Sequence, residues 1–199
     1  MAEWTIQPNG DGGNIKQWAS TTNYASETAN YIGNTNGAGF IERNIMIMDF
    51  SSLPAGATIT SAILGYYRLS TLGNQTIYAS RVVRADVATG QMTWTIYKTS
   101  NNWATAGCGN TSTDYTTTNQ ASVSVTDGGT GWMNLTVTDM VKYAQANTSQ
   151  IIIFRLHSGN EDSAQNYVRV YTGKRTTASE RPKLVITYSV SGRPIAMLF

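Results

Sequence analysis

The sequence predicts an all-β protein, an antiparallel sandwich, on three observations. Most segments alternate apolar and polar residues with a period of two and are rich in Val, Ile, Thr, Tyr and Trp, the composition of half-buried strands. Turn chemistry interrupts them at short intervals, in "LPAG", "LGNQ", "TDGGTG" and "HSGNED". Only "TDMVKYAQAN" (138–147) carries a helical pattern. Many short strands with frequent turns are the signature of a sandwich.

The elements follow in chain order. "NIMIMDF" (44–50) is apolar on both faces, which predicts a strand lying between two layers. In the next stretch, Pro54 and Gly56 suit a tight turn and Leu53 is placed to plug one end of the sandwich. Along "TITSAILGYYRL" (58–69), strict alternation puts Ile59, Ile63 and Tyr67 on one face and Ala62 and Leu64 on the other. Further strands are expected at 76–85, 121–127, 131–138, 150–157, 166–173 and 183–190. In the helix, Thr138 is a candidate cap, Met140, Val141 and Ala144 share a face, and Asn147 can close it. The expected core contains Phe50, Leu53, Ile63, Trp94, Leu135, Ile152, Phe154, Leu184 and Ile186. The pattern divides the chain into a loop-rich arm over 1–24, a β domain over 25–190 and an apolar tail over 191–199.

Composition narrows the function classes. Charged residues are 13% of the chain, against about 25% in ordinary soluble domains, and the 14 cations and 12 anions are interspersed. No clustered basic face marks a nucleic-acid binder, because Glu180 interrupts the cations of "GKRTTASERPK". The single cysteine, Cys108, rules out an internal disulfide and suits a buried apolar role. No apolar run approaches the ~18 residues of a transmembrane helix, so no membrane partner is expected. The first 25 residues hold neither a basic nor an apolar export region, which leads the sequence reading towards release by lysis or virion assembly.

Three stretches carry a family resemblance: "IMDFSSLPAGATITSAILGYY" (47–67), "MTWTIYKTSNNWATAGC" (92–108), and "WMNLTVTDMVKYAQ" (132–145) with the closing "RPKLVITY" (181–188). In this order they resemble the DNRLRE domain, a module of bacterial and archaeal surface proteins related to carbohydrate-binding modules. The resemblance implies a jelly-roll sandwich with a binding role. Two departures stand out. The acidic residue usual before the Thr-Trp pair is missing, and the Ser-x-Glu usual before the last strand is replaced by "VYTGK".

Candidate chemistry is sparse. The one histidine, His157, has Ser158 and Asp162 nearby in sequence, but no Gly-x-Ser-x-Gly elbow exists, and no motif pairs carboxylates for glycoside cleavage. An enzyme is not expected, and no cofactor is called for. Asp11, Glu161 and Asp162 lie in Asn/Asp/Gly-rich stretches that could hold a structural calcium. Trp18, Tyr24, Trp103 and Tyr115 lie in loop-like stretches and are the candidate glycan contacts, whereas Trp94 and Trp132 fit the core. Ile195, Met197, Leu198 and Phe199 are the candidate assembly contacts, to other virion proteins or to copies of the chain in a homo-oligomer. The resulting expectation is a non-enzymatic virion structural protein, a bacteriophage head-decoration or fibre protein at the virion surface that also contacts glycans. The alternative is a free-standing extracellular carbohydrate-binding or adhesion module.

Overall fold

The structure, a computed structural model, describes residues 1–8, 12–162 and 164–190. Asp11 and the tail residues Ile195, Met197, Leu198 and Phe199 lie outside the described residues. The elements are β1 (Ala2–Ile6), β2 (Gly12–Lys16), β3 (Ala29–Asn34), β4 (Ile41–Asp49), β5 (Ala57–Leu72), β6 (Gln75–Val82), β7 (Ile96–Lys98), β8 (Asn101–Asn102), β9 (Tyr115–Val125), β10 (Gly131–Thr136), α1 (Thr138–Asn147), β11 (Ile151–Ser158), β12 (Asn166–Tyr171) and β13 (Lys183–Val190).

One antiparallel sheet runs β1-β13-β5-β12-β3-β4-β11-β6-β9, with β10 against β5 and β2 against β4. It curls on itself because β5 is long enough to serve two layers. Residues 57–65 of β5 pair with β13 and residues 63–68 with β10, while residues 68–72 pair with β12. The two layers that result form a jelly-roll-like sandwich. Residues 1–24, read from the sequence as an arm, contribute two strands to this sheet. β1 pairs with β13 and β2 with β4.

The main core fills the space between the layers with Met46, Met48, Phe50, Leu53, Tyr66, Leu135, Phe154, Leu184 and Ile186. Leu53 is buried as expected, closed in by the turn in which Ala57 N–H donates to Pro54 O and Gly56 takes φ +75°. The helix covers one end with Met140, Val141 and Ala144. Thr138 does not cap it. Its hydroxyl oxygen accepts Ala62 N–H at 3.0 Å and ties α1 to β5 instead.

The strict alternation expected in β5 fails at one place. Thr187 pairs with Ser61 and Tyr188 with Ile59, so Thr60 is an extra residue in the ladder. Such a bulge reverses the inward and outward sense of everything beyond it. Ile59 therefore faces the core together with Ala62, Leu64 and Tyr66, while Ile63 turns outward and is 37% exposed. Its expected place in the core is corrected by that bulge.

A second core lies on the other side of β4. Residues 83–114, carrying the small β7–β8 hairpin, fold over the outer face of β4, β11 and β6. Trp94, Tyr97, Trp103 and Cys108 from this segment pack on Ile15, Ile45 and Ile153. β4 is thus apolar on both faces for the reason its sequence suggested: it separates two layers.

Candidate functional site

The expected glycan contacts separate in the structure. Trp103 is a correction: it is 4% exposed, and its Nε1 donates to Thr93 O at 3.0 Å inside the second core. A ring buried there has no face for a ligand. Tyr115 is half-buried, with the Arg155 guanidinium 4.2 Å above its ring. Trp132, expected in the core, is also corrected. It lies on the outer surface of β10, half-exposed, directly over Gly65, where a Cβ would come within 3.2 Å of the indole. Trp94 is buried as expected.

Trp18, 49% exposed and with Lys16 Nζ 5.5 Å from its ring, organises a cleft of about 330 Å³. That volume sits at the small end of ligand pockets, which span roughly 300–1,000 Å³. Its walls are Trp18, Phe40, Tyr31 and Tyr167, and its polar groups are Lys16, Thr35, Glu42 and Gln165. The register explains the polar floor. Lys16 of β2 faces Glu42 of β4, and Asn14 sits two residues along on the same side. Beyond Lys16 the chain turns through the 3-10 segment Gln17–Ala19, which lifts Trp18 to the surface. On the opposite wall, the Asn34 side chain accepts the N–H groups of Asn36 and Gly37, and Thr35 N–H donates to Phe40 O. That compact turn, with Gly37 and Gly39 at positive φ, returns Phe40 to lie behind Trp18. The two rings stack at 6.3 Å with 27° between their planes.

Glu42 ties the floor together. It is 3% exposed, and its carboxylate accepts Trp18 Nε1 at 3.1 Å, Asn14 Nδ2 at 2.5 Å and Thr35 Oγ1 at 3.4 Å. Lys16 Nζ lies 3.7 Å from it and bridges to Glu27 at 2.8 Å. Burial holds the Glu42 carboxyl above the usual carboxylate range, while Lys16 and the donors from Trp18 and Asn14 pull the other way. Lys16 Nζ also sits 4.0 Å above the Tyr24 ring, so one face of Tyr24 supports the cation.

An aromatic strip continues from this cleft along the outer surface. In β12 the valines 168 and 170 face the core, so Tyr167, Arg169 and Tyr171 face outward. Tyr167 meets Tyr31 edge-on at 5.0 Å, Tyr171 stacks on Tyr67 at 6.0 Å, and Tyr67 meets Trp132 at 5.7 Å. Cations cover part of it: Arg169 over Tyr31, Arg175 over Tyr171 and Lys183 over Trp132. A second cleft, about 320 Å³, lies towards the other end of β4 between Val82–Ala85 and Ile151–Ile153. Among the described residues, none of the side chains lining it is aromatic. The Trp18 cleft is therefore the better platform for a flat ligand.

The remaining candidates are committed elsewhere. Both Glu161 oxygens accept from Arg43, Nε at 2.9 Å and Nη2 at 2.6 Å, and Asp162 Oδ1 accepts Ala164 N–H. Among the described residues, no three His, Cys, Asp or Glu side chains gather as a metal site. His157 and Ser158 point to opposite faces of β11, and Ser158 Oγ donates to Gln75 Oε1 at 2.6 Å. Also among the described residues, no helix is long and apolar enough to cross a membrane.

Sequence reasoning found Trp18 and Tyr24 but missed Lys16, Tyr31, Phe40, Glu42 and Tyr167. The alternating "NYVRVY" did contain a signal, since valines facing the core force the tyrosines outward. Compared with known proteins, residues 7–188 match carbohydrate-binding module family 96. A comparison with curated proteins finds no match.

Proposed function

The chain belongs to carbohydrate-binding module family 96, and on that premise we propose that it is a non-catalytic glycan-binding module whose primary contact is the Trp18 cleft. The observation that carries this reading is the presentation of Trp18. One ring face is backed by Phe40, the indole N–H is anchored on Glu42, and about half of the residue is left to solvent. The C–H face of a sugar ring is attracted to the negative face of such an indole. Gln165 and Thr35 at the rim supply hydroxyl partners, and the Tyr31–Tyr167 pair extends the contact towards β12. A short oligosaccharide fits this layout better than a single sugar.

The test is a glycan panel probed with the wild type and with Trp18→Ala. Binding by the wild type that falls at least tenfold in the variant, with unchanged unfolding, supports the reading. A panel without hits, or equal binding by both, overturns it.

A second reading is display of this module on a virion surface, as a decoration or fibre protein. It is supported by the apolar run Ile195–Phe199 in the sequence, a segment suited to docking on another chain. Particle attachment that is the same for the full chain and for a version ending at Ser191 would remove it.

A further inference from the structure

Beneath the segment 83–114 the outer face of β11 buries charge that the described residues do not balance. Arg155 is 2% exposed, and its Nε and Nη1 are buried without a hydrogen-bond partner among the described residues. Among the described residues two carboxylates lie in this region, and both are taken. Glu161 is held by Arg43 through two hydrogen bonds. Asp114 is fully buried and accepts the N–H groups of Ala104, Thr105 and Asn110, with Arg84 Nη2 at 3.4 Å. Among the described residues, three guanidinium groups thus meet two carboxylates, and Arg155 is the cation left over.

Other internal partners fail on chemistry. Cys108 would have to be a thiolate, but burial pushes its thiol up to about 12. Tyr115 offers only its ring face, 4.2 Å from the guanidinium, which leaves the in-plane N–H donors unmet. The neighbouring His157 Nδ1 is a further buried polar atom without a partner. Burial is the main cause that lowers both groups, and neighbouring cations add to it: burial, then Arg43, lowers Arg155 to about 10, and burial, then Arg155 and Arg43, lowers His157 to about 2. An arginine in a protein stays charged at neutral pH, so neutralisation by proton loss is no remedy.

We propose that a small monovalent anion of the chloride type is bound beside Arg155, accepting from its in-plane N–H donors as the missing counter-charge. Its site is independent of the Trp18 cleft. Occupancy locks the segment 83–114 onto β11, because the anion binds only where both are in place.

The experiment uses the full chain. A crystal soaked in bromide gives an anomalous peak within hydrogen-bonding distance of the Arg155 guanidinium. In solution, replacing methanesulfonate with chloride at constant ionic strength raises the thermal midpoint. The rise is roughly 3–5 °C per tenfold chloride above its dissociation constant. In Arg155→Met the midpoint no longer responds to the exchange. If that variant does not fold, the bromide map of the wild type decides alone. A water molecule in place of bromide, or a wild-type midpoint indifferent to chloride, overturns the proposal.

Discussion

Trp18 Nε1 donates to Glu42 Oε1 at 3.1 Å, joining the most exposed tryptophan to one of the most buried carboxylates. The arrangement fixes a large flat ring at the surface without burying it. A hydrogen bond to a charged group is stronger than a neutral one, and here the acceptor is itself held by Asn14, Thr35 and Lys16.

Trp18→Phe keeps a ring over Phe40 but removes the anchoring N–H. A bond to a charged acceptor is worth about 1.5–3 kcal/mol to the fold, and the part of it that positions the ring should appear as a several-fold loss of glycan affinity. Calorimetric titration with the best glycan reads it directly. Affinity equal to wild type would show that the indole N–H does not position the ring.

Trp103→Ala should act on stability and not on binding. Emptying a buried indole site costs about 3–5 kcal/mol in urea unfolding. The folded protein should bind glycan as wild type does. Reduced affinity with intact stability would return Trp103 to the ligand face.

The bulge at Thr60 makes opposite forecasts for two isoleucines in one strand. Ile59→Ala is expected to cost about 2–5 kcal/mol, since it opens a cavity in the main core. Ile63→Ala, outward and partly exposed, should cost less than about 1 kcal/mol. Similar losses at both positions would mean that the alternation is unbroken.

His157 is the only histidine, and its depressed pKa sets a pH dependence. Above about pH 6.5 the imidazole is neutral in both states and its contribution to stability is complete. Below that, the unfolded chain takes up a proton that the folded chain refuses until about pH 2, so stability is lost as pH falls. Glu42, with its raised pKa, works in the opposite sense, favouring the fold at low pH and less so as pH rises through its folded value. It is common to wild type and His157→Gln, so their difference isolates the histidine. In methanesulfonate, between pH 6.5 and 4.5, the wild type should lose up to ~1.4 kcal/mol more per pH unit than His157→Gln. Parallel curves would show that the imidazole protonates in the folded state.

Much of the fold was legible because period-two patterning survives wherever one face meets the core. β13 and α1 fall on the residues that the pattern indicated, 183–190 and 138–147. "GGNIK" and "ANYIGN" gave no comparable signal, because β2 and β3 owe their extension to pairing with β4 and β12. Trp103 looked exposed in "SNNWATAG" because its neighbours are polar. Its burial comes from packing against β4 and β11, which local sequence does not encode. The cleft was half legible for the same reason. Trp18 announces itself in a loop, but Phe40, Glu42 and Tyr167 reach it only through the curl of the sheet.

Over residues 44–48, β4 is covered on both faces. Met46 and Met48 point into the sandwich, while Ile45 and Ile47 point under residues 83–114. The strand is a party wall, and damage on one side need not breach the other. If the outer layer lifts while the sandwich stays folded, Ile15, Ile45 and Ile153 are bared as one greasy patch on an otherwise native particle. Local openings of this kind lie below the cost of global unfolding, and exposed apolar patches invite association. Gentle warming would therefore make this protein cluster before it melts, so light scattering should rise ahead of the loss of β-sheet circular dichroism.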